Sequence, residues 1–330
     1  LAILTCAQAG MAQTAPLATR GTEFWVGFMQ NAYAAQTLKL QIAAQANATG
    51  TVSMPLLGWS EAFSVPANGT ATVIVPANAE HIGSETVSDK SVLVQASGPV
   101  TVTAVSYQSF TTDAALVFPT PSLGTSYRAQ GYRGLPGFVD FYKSELLIVA
   151  TQDGTEVTII HSVLTSGGHP AGVPFNVSLD AGETYQLQGA LASLDITGTT
   201  VIGTEQSGPC RPFAVFSGSM CANVPVGCPA CDHIFEQMVP TDKWGTSFHT
   251  IAFGNTTQHT YRVMAHQPNT QISVNGGAPI TLNAVGLYEI NGASAPVCIT
   301  ATLPVSVAQL MEGFNCANKG DPAMIELVPD

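Results

Sequence analysis

The sequence predicts an all-β chain, arranged as three tandem seven-strand β-sandwich-like modules related by a weak internal repeat. Three observations lead there. Only 10% of the 330 residues are charged while 45% are apolar, and surface helices need Lys and Glu on their outer faces where strands and turns do not. No window long enough for a helix carries a sustained helical stripe. Four strand-turn-strand phrases also recur three times in the same order.

The opening phrase is GTEFWVGF from Gly21, GTSYRAQGY from Gly124 and GTSFHTIAF from Gly245. The second is LQIAAQANATGTVSM (40–54), LLIVATQDGTEVTI (146–159) and YRVMAHQPNTQISV (261–274). Its turns carry Asn47, Asp153-Gly154 and Pro268-Asn269, residues that suit hairpin reversals. The third phrase, FSVPANGTATVIV (63–75), VSLDAGETYQLQ (177–188) and ITLNAVGLYEI (280–290), sets a small turn between short alternating runs. The fourth is VLVQASGPVTVTAVS (92–106), VIGTEQSGPCRPFAVFS (201–217) and VCITATLPVSVAQL (297–310). Pro99, Pro212 and Pro304 are expected to open its last strand, where a missing N–H leaves the ladder intact. Seven short strands in about 100 residues is the size of an immunoglobulin-like sandwich, although propeller blades and a fused barrel fit the strand count too. The expected modules span 21–112, 124–220 and 245–330, with a cysteine-rich connector over 221–243.

The first residues, LAILTCAQAGMAQT (1–14), have an apolar start and small residues near Ala9 and Ala12. That pattern resembles the back half of a secretory signal peptide; the competing reading is a buried first strand. No later run reaches the roughly 20 apolar residues of a membrane helix. The net charge of −12 comes from scarce Lys and Arg, so the basic patch that nucleic acid requires is missing. With Cys6 set aside in the leader, Cys210, Cys221, Cys228, Cys231, Cys298 and Cys316 remain, an even number that in an exported chain points to disulfides. Proximity favours two bridges closing the 210–231 loop and a third joining Cys298 to Cys316.

The chain departs most from simple alternation at PFAVFSGSMCANVPVGCPACDHIFEQ (212–237). Residues 213–218 are apolar at both parities, as in a strand buried on two faces. After the cysteines, Cys231 to Met238 is the best helical candidate, with Asp232 as cap and His233 and Glu236 on one face. Asp232, His233 and Glu236 could ligate a metal with Asp321, or could cap and pin a connector by buried hydrogen bonds. Cys228-Pro229-Ala230-Cys231 has CxxC spacing but no second pair; a stapled loop and a zinc site with Cys221 and His233 compete for those thiols. There is no second His at metalloprotease spacing, no GxSxG elbow and no phosphate-cradling glycine loop.

FSGSMCANVPVGCPACDHIFEQMVP, WGTSF (244–248) and GDPAM (320–324), with GTEFWVGF and ELLIVATQDGTEVTI (145–159) upstream, resemble the IgGFc-binding domain family over about residues 20–330. This family is named for the amino-terminal region of a mucus-associated animal protein and recurs in bacterial surface proteins. The resemblance implies extracellular binding or adhesion, brings no catalytic residues, and implies further domains beyond Asp330.

The expected function is therefore a secreted or cell-surface binding module of a larger protein, without enzymatic activity or cofactor, recognising an extracellular protein or a glycan. Candidate binding residues are Trp59, between two strands, and the aromatic, Gly-rich loop with Arg128, Tyr132, Arg133, Phe138 and Tyr142. The rival expectation is an extracellular metal-dependent hydrolase centred on Asp232, His233 and Glu236.

Overall fold

The computed structural model describes residues 17–33, 37–135, 137, 140–204, 209–254, 256–283 and 286–330. The leader-like segment 1–14 and Phe138 lie outside the described residues. The chain is all-β. Its first strands are β1 (Gly21–Val26), β2 (Thr37–Ala44), β3 (Ala48–Met54), β4 (Trp59–Val65), β5 (Gly69–Val75), β6 (Val87–Ser88), β7 (Val92–Tyr107) and β8 (Asp113–Val117). Next come β9 (Ser126–Arg128), β10 (Ser144–Ala150), β11 (Thr155–Ile160), β12 (Phe175–Leu179), β13 (Thr184–Gln188), β14 (Thr200–Gly203), β15 (Phe213–Ala222) and β16 (Asp232–Gln237). The last are β17 (Gly245–His249), β18 (His259–Ala265), β19 (Thr270–Val274), β20 (Ile280–Leu282), β21 (Leu287–Ala293), β22 (Cys298–Met311) and β23 (Ala323–Glu326), with a single helical turn, α1 (Phe314–Ala317), before β23.

The first sheet has the order β4-β3-β7-β2-β5, with β1 and β8 also on β7. The last repeats that order as β20-β19-β22-β18-β21, with β17 and β23 on β22. Between them the strands form two sheets, β16-β15-β10-β13-β6 and β12-β11-β14-β9. The long strands explain the difference. In β7, residues 93–96 pair with β3, and residues 100–107 pair with β2. Pro99 stands at this hand-over, where no ladder bond needs its absent N–H. Pro304 stands at the same point of β22, between the β19 and β18 pairings. Both prolines thus lie inside continuous bent strands, not at strand starts as expected. In the middle group the hand-over carries extra residues, so the equivalent strand is split into β14, which pairs with β11 and β9, and β15, which pairs with β10 and β16.

The three opening glycines share one packing role. A Cβ on Gly21 would overlap Pro119, one on Gly124 would overlap Pro240, and one on Gly245 would overlap Pro329. Each opening phrase is thus laid against a proline just past β8, β16 or β23.

Alternation predicts burial well in the first sheet, where β2 keeps Leu38, Leu40, Ile42 and Ala44 inside. The middle sheet differs, because every residue of β10, β13, β15 and β16 is buried. Leu147, Val149, Ala214, Phe216 and Phe235 pack into the core of the first sheet. Leu146, Ile148, Phe213, Val215 and Ile234 pack into the core shared with β11 and β14. Each Leu, Val, Ile or Phe among them contributes about 1.5–3 kcal/mol on full burial, so this sheet acts as an inner wall between two cores. The helix expected over Cys231–Met238 is instead strand β16. A strand there pairs five β15 residues with partners and buries apolar groups on both sides, which a lone helical turn could not do.

Candidate binding surface

Three loop pairs gather at one end of the strands. Thr37 pairs with Tyr107, Ser144 with Ser219 and His259 with Met311. The entries to β2, β10 and β18 therefore lie beside the exits of β7, β15 and β22. Among the described residues the loops concerned are 27–33 and 108–112, 129–135 with 140–143 and 223–231, and 250–254 with 256–258 and 312–322. Their contacts bind them together. Asn31 Nδ2 donates to Thr111 O at 3.2 Å, and Thr111 Oγ1 donates to Asn31 Oδ1 at 2.6 Å. A side-chain hydrogen bond joins Tyr33 to Tyr142. Val226 N donates to Tyr132 Oη at 3.3 Å, and Gly313 N donates to Val224 O at 2.9 Å.

Two disulfides lock the second and third pairs. Cys221–Cys231 closes the β15–β16 loop, and Cys228–Cys316 ties that loop to α1, 88 residues away in sequence. Cys210 is also disulfide-bonded. Cys298 is free, so the expected Cys298–Cys316 bridge does not form. Cys298 begins β22 opposite His249, whereas Cys316 sits past the far end of β22, where the 223–231 loop docks. Large apolar side chains stand out from this clamped end: Phe110 is 92% exposed and Ile251 83%, with Tyr33, Phe141, Val226 and Phe314 also exposed.

A buried carboxyl seam supports the loops. Asp113 Oδ2 accepts from Phe235 N at 2.9 Å, and Glu326 Oε2 accepts from Val239 N at 2.7 Å. Asp113 on β8 and Glu326 on β23 thus cap backbone donors of β16 and of the residues after it. Burial pushes Asp113 up to about 8 and Glu326 up to about 7. Glu236 is raised well above its ordinary value by burial, then by Asp113 and Glu326. Burial, with Asp113 and Asp321 nearby, pushes Asp232 up to about 8. His233 is lowered to about 4 by burial, with its Nδ1 3.0 Å from Ser219 O. Among the described residues no three His, Cys, Asp or Glu side chains are placed to hold a metal ion. Asp232, His233 and Glu236 instead lie along a buried strand in forms that favour neutrality, and Asp321 acts on Asp232 as a neighbouring charge.

The residues expected to bind are spread more widely. Trp59 is half-buried at the margin of the first core. Arg128 donates from Nε to His266 Nδ1 at 3.3 Å and from Nη1 to Thr200 Oγ1 at 2.9 Å. Tyr132 is buried, its ring 4.8 Å beneath the Arg262 guanidinium. Arg262 also bonds Gly131 O and lies 2.7 Å from Asp195 and 3.0 Å from Glu289. Arg133 and Tyr142 are partly exposed, and Tyr142 meets Phe141 edge-on at 5.6 Å. Only Tyr142 and Arg133 thus join the clamped end with side chains open to solvent. Sequence reading missed Phe110, Ile251 and Phe314. The signal was available in their position, because an apolar residue in each of these loops has no alternating run to bury it.

These features define a class: an all-β protein, cross-linked by disulfides, presenting an aromatic and aliphatic loop surface at one end. A family model described as IgGFc binding protein matches residues 113–330. The chain belongs to the IgGFc-binding protein family. It is 26% identical over 279 residues to the IgGFc-binding protein of Homo sapiens, a match covering 81% of this chain but 5% of that relative's length. A solved structure of a bacterial ice-binding adhesin aligns with 96% of this chain and 98% of its own at 12% identity, with a TM-score of 0.17, and supports no structural relation. Among the described residues no helix is long and apolar enough to cross a membrane.

Proposed function

We propose that the chain is a secreted or cell-surface binding module of a longer protein, and that it grips a protein partner with its clamped loop end. The observation that carries this reading is the exposure of Phe110 and Ile251 on loops held by hydrogen bonds, from Thr111 Oγ1 to Asn31 Oδ1 at 2.6 Å and from Gln309 Nε2 to Ile251 O at 2.7 Å, beside the disulfide-bonded 223–231 loop. Exposed aromatics on a rigid frame bury area on contact without a large ordering cost. Disulfides suit an oxidising compartment, and the human relative's name, IgGFc-binding protein, agrees with a protein partner. Arg133 and Tyr142 belong to this surface. Trp59 would serve an accessory glycan contact on the first sheet.

The frame is read as three tandem modules, each closed by its own glycine–proline contact. On that reading 221–243 is the last hairpin arm of the second module and its exit, and not a separate connector. To test the function, the chain is immobilised and offered immunoglobulin Fc, mucin and a glycan array. Binding to a protein, weakened by Phe110→Ser with Ile251→Ser at unchanged melting temperature, supports it. Binding to glycans alone, or protein binding indifferent to both substitutions, overturns it.

A further inference from the structure

Cys298 is the free cysteine among described residues whose other cysteines are bonded, and it has company. Across the β17–β22 ladder it faces His249, whose Nε2 lies 3.6 Å from its Sγ. On the other side of the imidazole, Asp330 Oδ2 lies 2.6 Å from Nδ1. Asp330 is held in turn by Ser247, whose Oγ donates to Oδ2 at 2.8 Å and whose O accepts from Asp330 N at 3.0 Å. These bonds hold the Asp330 carboxyl below the usual range. An ionised carboxylate on Nδ1 selects the Nδ1–H tautomer and leaves the Nε2 lone pair facing the thiol. Nucleophile, base and orienting carboxylate are thus in the order that activates a thiol.

We propose that Cys298, His249 and Asp330 form a surface thiol site that exchanges with the disulfide of another molecule and joins the two covalently. His249 Nε2 takes the proton from Cys298. The thiolate then bonds to one sulfur of the incoming disulfide while its S–S bond breaks, and the electron pair departs on the second sulfur. That leaving thiolate recovers the proton from the imidazolium. One disulfide is consumed and one mixed disulfide is formed, so no outside oxidant is needed. The openness of the site selects this chemistry over acyl transfer. The His249 side chain is 69% exposed and that of Asp330 42%. Acyl transfer relies on donors preorganised around a developing oxyanion in a water-excluded site, whereas exchange needs only a thiolate and access.

The test uses the intact chain, without reductant, treated with an aryl disulfide (dithiobis-nitrobenzoate) and separately with oxidised glutathione. One thiol per chain is expected to react, giving a glutathione adduct by intact mass that maps to Cys298 and is absent in Cys298→Ser. At about pH 6.5 the rate should fall tenfold or more in His249→Ala and by less in Asp330→Asn, within the range of general-base effects. Melting curves of these exposed-site variants should match the parent, separating loss of activation from loss of fold. A rate unchanged within about twofold in His249→Ala shows an ordinary exposed cysteine and overturns the proposal. So does a chain that forms no adduct, or an adduct that persists in Cys298→Ser.

Discussion

The first sheet and the inner wall formed by β10, β13, β15 and β16 are assembled from similar phrases, yet they bury their residues differently. In the first, β2 and β5 alternate and leave one face to solvent. In the second, both faces are covered, and polar residues that would meet water elsewhere must find partners inside. Gln186 does so with His81 O at 3.0 Å and Gly83 O at 2.7 Å, and Gln237 Oε1 accepts from Phe118 N at 2.6 Å. Both reach out of the wall to the first group of strands. Position in the assembly, more than local pattern, therefore decides what a polar residue does: at the periphery it is solvated, and in the wall it joins neighbouring groups.

If polar contacts join the groups, the largest effect should come from Arg262 of β18, which reaches into the middle group. Arg262→Ala leaves Asp195 and Glu289 facing a vacated buried site, and should cost about 3–5 kcal/mol in denaturant unfolding. A loss below about 1 kcal/mol would show that apolar contact alone holds the last sheet. Next comes Cys228–Cys316. Replacing both cysteines by Ser should cost about 4 kcal/mol, against about 3 for Cys221 and Cys231, because the longer loop constrains the unfolded chain more. Equal losses would mean that the bridge between groups adds nothing beyond a local staple.

How much of this was legible in the residues follows the same division. β2 and β5 could be read because one face is wet. The hairpins expected at Asn47, Asp153-Gly154 and Pro268-Asn269 do not form: β2 and β3, β10 and β11, and β18 and β19 take other partners, so each turn is a crossing and not a reversal between paired strands. Phe213 to Gly218 read correctly as a strand buried on both sides. Asp232 to Gln237 did not, because a strand whose two faces are both covered, with a His and two carboxylates in it, has no period to detect. The same lack of period left a metal site and a buried hydrogen-bonding role both open for Asp232, His233 and Glu236. Their spacing suggested a shared helical face, while their partners, Asp113 and Glu326, lie far away in sequence and become visible only when β8 and β23 close on β16. Tyr132 looked like a surface aromatic because nothing local reveals Arg262 above it.

The carboxyl seam gives a smaller effect with a definite sign. Asp113 and Asp232, pushed up to about 8, and Glu326, up to about 7, have folded values above their unfolded ones. Their stabilising contribution is complete below about pH 4 and is lost as pH rises through about 7–8. His81 and His233, lowered to about 4, oppose this only below about pH 6.5. The melting temperature should therefore fall between about pH 6.5 and 8.5, and Glu236→Gln, which removes one of the buried acids, should flatten that fall. A profile that rises with pH over this window, or one that Glu236→Gln leaves unaltered, would break the account of the seam.

The smallest effect on stability is expected where the effect on function is largest. Phe110→Ser with Ile251→Ser should change stability by no more than about 0.5 kcal/mol each, since both side chains are exposed. The most direct measurement is binding of the chain, this double variant and a Leu57→Ser control to immobilised immunoglobulin Fc and mucin, read beside their melting temperatures. The account predicts that at least one protein is bound, that the double variant loses about tenfold or more in affinity at unchanged melting temperature, and that Leu57→Ser, outside the six loops, binds like the parent. Equal binding by the double variant, or no binding to either protein, would contradict it.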